Sequence, residues 1–197
     1  MSEEKTFHHD NSIGPRIKAL REQRELTVEQ LSEQTTCSPE MIRALEAGEL
    51  VPSLTPLIRL SRGLGVRLGT LLDDQAVDHP VVVRQGHTDE PTHFFGTDPA
   101  RTRPSLAFHS LAPRKANRNM EPFIIDVHPA DGAPALNDHE GEEFLYVLAG
   151  RLEVLYGTDR FELGVGDSIY YDSVVPHHVG ALEQGTRILA VVYTADK

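Results

Sequence analysis

The chain has 197 residues, 39% of them hydrophobic and 25% charged, so it holds one large domain or two small ones and is not wholly disordered. No apolar run reaches the roughly 20 residues of a membrane span. The polar start reads as neither signal nor transit peptide, and a single cysteine, Cys37, excludes a disulfide framework or a cysteine-based zinc cluster. The expectation is a soluble, cytoplasmic protein with no membrane partner. Its net charge of −11 argues against a nucleic-acid partner for the chain as a whole, but the charge is uneven. Residues 13–72 carry eight Lys/Arg and seven Asp/Glu with no aromatic residue or histidine, whereas residues 73–197 carry ten and twenty. The expected division is a flexible tail over 1–12, a helical domain over 13–72, a linker over 73–80 and a β domain over 81–197.

In chain order, Ile13, Ile17 and Leu20 form the first helical stripe, ending near Arg24. Thr27-Val-Glu-Gln30 is a capping box that opens a second helix with Val28 and Leu31 inside. Ser38-Pro39 caps a third, carrying Met41, Ile42 and Leu45 and stopped by Gly48. Thr55-Pro56 repeats the cap signal before Leu57, Ile58, Leu60 and Leu64, and a short turn over Leu68–Leu72 completes five helices. Polar residues 73–80 end this pattern. Short strands are then expected at Val81–Arg84, Ser105–Leu111, Phe123–Val127, Glu143–Leu148, Arg151–Tyr156, Arg160–Leu163, Ser168–Tyr171, His178–Gly180 and Arg187–Tyr193, with 89–103 read as loop. Such spacing means an antiparallel sandwich or barrel.

Only Thr36-Cys37-Ser38 joins the second and third helices, the short connection of a helix-turn-helix. Leu31-x10-Ile42-Arg-x-Leu45-Glu46-x-Gly48, then Val51-Pro-Ser-Leu54-x-x-Leu57 and Leu64-Gly65-Val66, resembles the XRE-family helix-turn-helix over the whole segment. The resemblance implies that the third helix enters the DNA major groove, with Ser38, Glu40, Met41 and Arg43 facing or flanking bases and phosphates. Arg16 and Arg43, with Thr27, read as phosphate contacts near helix ends. The other reading is a five-helix packing module without DNA binding. Cys37 reads as a buried turn residue rather than a redox sensor, because it has no cysteine partner.

In the β domain, Asn137-Asp-His139-Glu-Gly-Glu-Glu143, with Gly150 beyond, precedes Gly166-Asp167 and Pro176-His177. These patches resemble the two cupin motifs over roughly 105–195. Asn137 stands for the family's first histidine, while His139, Glu143, Gly150, Gly166 and His177 match; Asp172, Val174 and Ala181 depart from the second motif. The implied fold class is an all-α N-terminal helix-turn-helix domain of five helices plus an all-β C-terminal cupin barrel, a double-stranded β-helix or jelly-roll.

His139 and Glu143 would lie ~13 Å apart in one extended strand, too far for shared coordination. Gly141 allows a turn between them. His177 and His178 alternate faces, and the family register chooses His177 as the inward one. Two histidines and one carboxylate suit a divalent transition metal, iron first, with zinc, nickel or manganese as alternatives. Asn137 could add an amide oxygen or orient a ligand. The competing reading makes these satisfied polar residues of a metal-free barrel. His8, His9, His79, His87, His93, His109 and His128 read as solvated or packing residues.

The pairing of motifs implies a DNA-binding transcriptional regulator whose barrel senses a small-molecule effector, a divalent metal or both, acting as a homodimer on double-stranded DNA. The alternative is a mononuclear-iron cupin oxidase or epoxidase resembling the hydroxypropylphosphonic acid epoxidases, whose two-His, one-Glu iron site His139, Glu143 and His177 match. That resemblance also implies a lysine near Glu25 and a tyrosine near Phe108, and this chain has neither there.

Overall fold

The computed structural model describes residues 13–50, 52–73, 77–84, 92–94 (backbone alone), 106–130 and 132–194. The expected tail, with His8 and His9, and His87 lie outside them. Among the described residues the first body is five helices: α1 (Ile13–Gln23), α2 (Val28–Thr35), α3 (Pro39–Glu46), α4 (Leu54–Gly63) and α5 (Leu68–Leu72). Local chemistry sets their ends. Thr27 and Gln30 form both bonds of the capping box on α2, and Ser38 accepts from the Met41 N–H ahead of Pro39 on α3. The cap of α4 is Ser53, not Thr55: Pro56 sits within the first turn, where its missing N–H has no helical partner to lose, so the helix starts two residues earlier.

Ile17, Leu31, Ile42, Leu45, Leu57, Leu60, Leu64 and Leu71 bury fully between these helices. At about 1.5–3 kcal/mol per large side chain, this core holds the helices together. Gly14 lets α1 approach α3, since a Cβ there would lie 2.0 Å from the Leu45 carbonyl oxygen. Beside it the Arg21 guanidinium grips Glu46 through two bonds of 2.6 and 2.8 Å. Cys37 is buried in the turn, and burial raises its thiol pKa.

The second body is all β, with strands β1 (Thr92–Phe94), β2 (Leu106–Ser110), β3 (Met120–Val127), β4 (Glu142–Ala149), β5 (Leu152–Tyr156), β6 (Asp159–Leu163), β7 (Ser168–Asp172), β8 (His177–Ala181) and β9 (Thr186–Tyr193). They form a six-stranded sheet, β1-β2-β3-β9-β4-β7, and a three-stranded sheet, β6-β5-β8, with every pairing antiparallel. Alternation places Leu145 and Val147 of β4 and Ile188, Ala190 and Val192 of β9 inward. Phe108 and Phe123 meet edge-to-face at 5.4 Å.

One expected strand is absent. Residues 81–84 form no strand, and Val82 is 67% exposed; Thr92–Phe94, expected as loop, instead pairs along the edge of β2. A valine run satisfies strand propensity, but a strand needs a partner edge, and the described residues give it none.

The joint is fastened at both ends. Arg118, at the head of β3, bonds Asp73 at 2.5 Å and Glu121 at 2.7 Å, and Gly69 of α5 packs against that cluster. Val77 forms a bridge to Lys115.

Candidate metal centre and nucleic-acid interface

Backbone pairing assembles the polar centre of the barrel. Asn137 and His177 exchange both backbone hydrogen bonds at 2.9 Å, and the His139 N–H donates to the Ser173 carbonyl at 3.0 Å. The segment before β4 is thereby laid beside β8. Gly141 then turns the chain at φ +113°, where a Cβ would lie 2.0 Å from the Tyr193 carbonyl oxygen, so that Glu143 enters β4 facing inward. His139, Glu143 and His177 come together, all buried, each offering a ligand atom within 4.8 Å of the others.

The proton positions bear on what fits there. His139 Nδ1 lies 3.2 Å from the Glu140 carbonyl and His177 Nδ1 lies 2.9 Å from the Val175 carbonyl. A carbonyl only accepts, so both Nδ1 atoms carry protons and both Nε2 atoms point at the carboxylate of Glu143. These lie 2.7 Å and 3.7 Å from Oε1. Two imidazole lone pairs facing a carboxylate oxygen need a cation between them, either a proton or a metal ion. Carbonyl-anchored imidazoles are also how proteins orient metal-ligating histidines. The donor set fits a divalent transition metal.

The remaining Glu143 oxygen accepts from the Tyr171 hydroxyl at 2.6 Å. Burial alone would raise the Glu143 pKa, but where a proton rather than a metal ion is the cation, hydrogen bonds from His139 and His177 outweigh it and hold the carboxyl well below the usual range. Burial and the neighbouring Glu143 raise the Tyr171 pKa, so the phenol keeps its proton and donates. Burial lowers and Glu143 more than restores the His177 pKa, leaving it above its ordinary value. Tyr171 carried no motif signal in the sequence; only the register that sets it opposite Glu143 brings it here.

The centre opens into a cavity of about 320 Å³. Asn137 lines it, with its side chain turned toward the Ala135 carbonyl at 3.4 Å. His178 stands at the rim near the same carbonyl, outside the cluster of three. Ser53, Leu54 and Thr55, at the start of α4, form part of the lining, so the helical body closes the barrel's mouth. Two ion pairs reinforce that closure. Arg59 of α4 bonds the Asp138 carboxylate at 2.7 Å and its carbonyl at 2.8 Å, and Arg62 pairs with Glu140. Asp138 and Glu140 flank His139. Spacing within either segment gave no sign of this.

On the helical body, Ser38, Glu40 and Arg43 are exposed and Met41 is half-buried along α3. Ser38 is engaged as the helix cap, and Arg43 pairs with Glu29 of α2 and lies 4.0 Å from Glu40. Thr27 is exposed and holds its capping box. Arg16 donates to the Leu71 carbonyl at 2.5 Å, tying α1 to α5.

Residues 17–71 match the family model described as helix-turn-helix, and residues 123–193 match the cupin domain. Among curated relatives, the (S)-2-hydroxypropylphosphonic acid epoxidase of Streptomyces wedmorensis is 26% identical over 180 residues, covering 82% of this chain and 84% of that protein. The immunity repressor protein of Bacillus phage phi105 is 30% identical over 66 residues, which are 34% of this chain and 46% of the repressor. Among solved structures, an HTH_3 family transcriptional regulator from Vibrio cholerae matches with a TM-score of 0.66 at 21% identity, covering 94% of this chain and 97% of that one. That likeness is one of fold, and it spans both bodies.

Proposed function

Because the chain belongs to the XRE-type helix-turn-helix proteins with a C-terminal cupin barrel, we infer that it is a DNA-binding transcriptional regulator whose barrel senses a small molecule held at a divalent metal. The observation that carries this reading is the closure of the cavity by α4: a ligand at His139 lies beside the residues that grip the DNA-binding body. A ligand favouring one arrangement of the two bodies shifts DNA affinity by that preference and no more.

In this reading α3 lies in the major groove. Arg43 and Arg16 serve phosphates, Ser38 and Thr27 present helix ends to the backbone, and Glu40 and Met41 flank the bases. His139, Glu143 and His177 hold the metal, which supplies a Lewis-acidic position for an oxygen donor, and Asn137 orients the ligand. Iron suits the site first, with zinc, nickel and manganese after it.

Pairing into a homodimer supplies the two-fold that helix-turn-helix proteins use on half-sites about one turn apart. The outer face of the six-stranded sheet suits that role, since Tyr146, Leu148, Tyr170, Tyr193 and Met120 are 37–62% exposed there. No described helix is long and apolar enough to cross a membrane, and a cytoplasmic place follows from the DNA partner. The deciding experiment is gel retardation of the chain's own promoter DNA by the metal-loaded protein at low salt. A retarded complex competed poorly by random DNA is expected, and no retardation, with or without metal, overturns the reading.

A second reading, a mononuclear-iron oxidase or epoxidase, draws on the two-His, one-Glu set and on the likeness to the epoxidase along most of both chains. Against it, Phe108 presents a ring without a hydroxyl to the cavity, and Glu25 lies in an exposed turn. Oxygen consumption by the iron-loaded protein with a hydroxyalkylphosphonate tests it.

A further inference from the structure

The chemistry of the cavity names a class of ligand, an inference that rests on the sensor reading above. At about 320 Å³ it sits at the small end of ligand pockets. One end is the buried His139, Glu143 and His177 cluster. Leu106, Phe108, Ile125, Leu145, Ile188 and Val192 give it an apolar wall, Leu54 of α4 lines it as well, and His128, Asn137 and His178 are polar members of the lining. Among the described residues no lysine or arginine lines the space, whereas Glu143 and Glu153 both do.

We propose that the cavity binds a small monocarboxylate with an unbranched apolar body, its head at the metal-holding cluster and its body along the apolar wall toward α4. Charge decides the head group. Glu153 is matched by its ion pair with Arg160, so a divalent ion with Glu143 leaves one positive charge, which a carboxylate neutralises. A phosphonate dianion leaves one negative charge uncompensated in an apolar cavity, where an unpaired charge is costly. An ammonium head faces the ion's own charge. Shape decides the body, because these six apolar side chains offer it dispersion contacts and no hydrogen-bond partner.

The test is calorimetric titration of the nickel-loaded, full-length protein with octanoate, octylphosphonate and octylamine in mildly alkaline buffer, where the phosphonate has lost both protons and the amine keeps its own, repeated on metal-free protein. Octanoate is expected to bind at least tenfold tighter than either of the others and to lose at least tenfold without metal. Ala190→Val narrows the wall and is expected to weaken octanoate several-fold more than butyrate; a folding defect would weaken both alike. Octylphosphonate binding as tightly as octanoate, or octanoate binding that ignores the metal or the Ala190→Val change, overturns the proposal. If no carboxylate binds while promoter DNA is still retarded, the ligand class fails and the regulator reading stands. If octanoate binds and DNA does not, the regulator reading fails and the ligand class stands.

Discussion

The grip of Asp138 and Glu140 on α4 makes a quantitative prediction about communication between the bodies. The perturbation is the double change Asp138→Asn and Glu140→Gln, which removes both carboxylates and keeps side-chain size. The two pairs are partly exposed: side-chain accessibilities are 31% and 52% for Arg59 and Asp138, and 19% and 60% for Arg62 and Glu140. Pairs that see this much water are worth about 0.2–1 kcal/mol each. Together they set a ceiling of about 2 kcal/mol, or roughly 30-fold, on what this route can transmit. The assay is promoter-DNA titration by fluorescence anisotropy, with and without metal, for the native and doubly changed proteins. The ratio of the two DNA affinities should fall toward one in the variant, while metal affinity holds within a few-fold. High salt should mimic the variant, because these pairs are open to screening. A variant that keeps the full metal response at low salt would refute this coupling route.

Replacing His139, Glu143 or His177 singly by alanine should strip bound metal on dialysis, read by elemental analysis, whereas His178→Ala should keep it. Gly141→Ala should cost about 2–4 kcal/mol in denaturant unfolding, from a side chain at φ +113° pressed against the Tyr193 carbonyl, and should weaken metal binding by displacing His139. Glu121, beside Arg118 at the joint, has its pKa pushed by burial up to about 7 from 4.5, so the fold favours its protonated form. Its contribution is complete below about pH 4.5 and is lost as pH rises through about 7, on the order of 1–3 kcal/mol. Melting temperatures of Glu121→Gln across pH 5–8 should lack that decline; an unchanged slope would count against it. Arg43→Ala should weaken binding to all DNA sequences alike and reduce the salt slope by about one.

The sequence alone determined what depends on near neighbours. Thr27 with Gln30, Ser38 with Pro39, and Gly48 are local signals, and the helices they bound formed because capping and helical periodicity are decided within a turn or two. The alternation of β4 and β9 was legible for the same reason, and Gly141 announced the turn that brings His139 back to Glu143. Tertiary structure decided what depends on distant partners. Residues 81–84 carry strand propensity yet pair with nothing described, because an edge is a property of two segments. Tyr171 reaches Glu143 only through cross-strand register. Arg59 and Arg62 read as ordinary outer positions of an amphipathic helix until Asp138 and Glu140, nearly eighty residues away, are set against them. The closing of the barrel by Ser53, Leu54 and Thr55 was invisible in either motif, because it belongs to the packing of one body on the other.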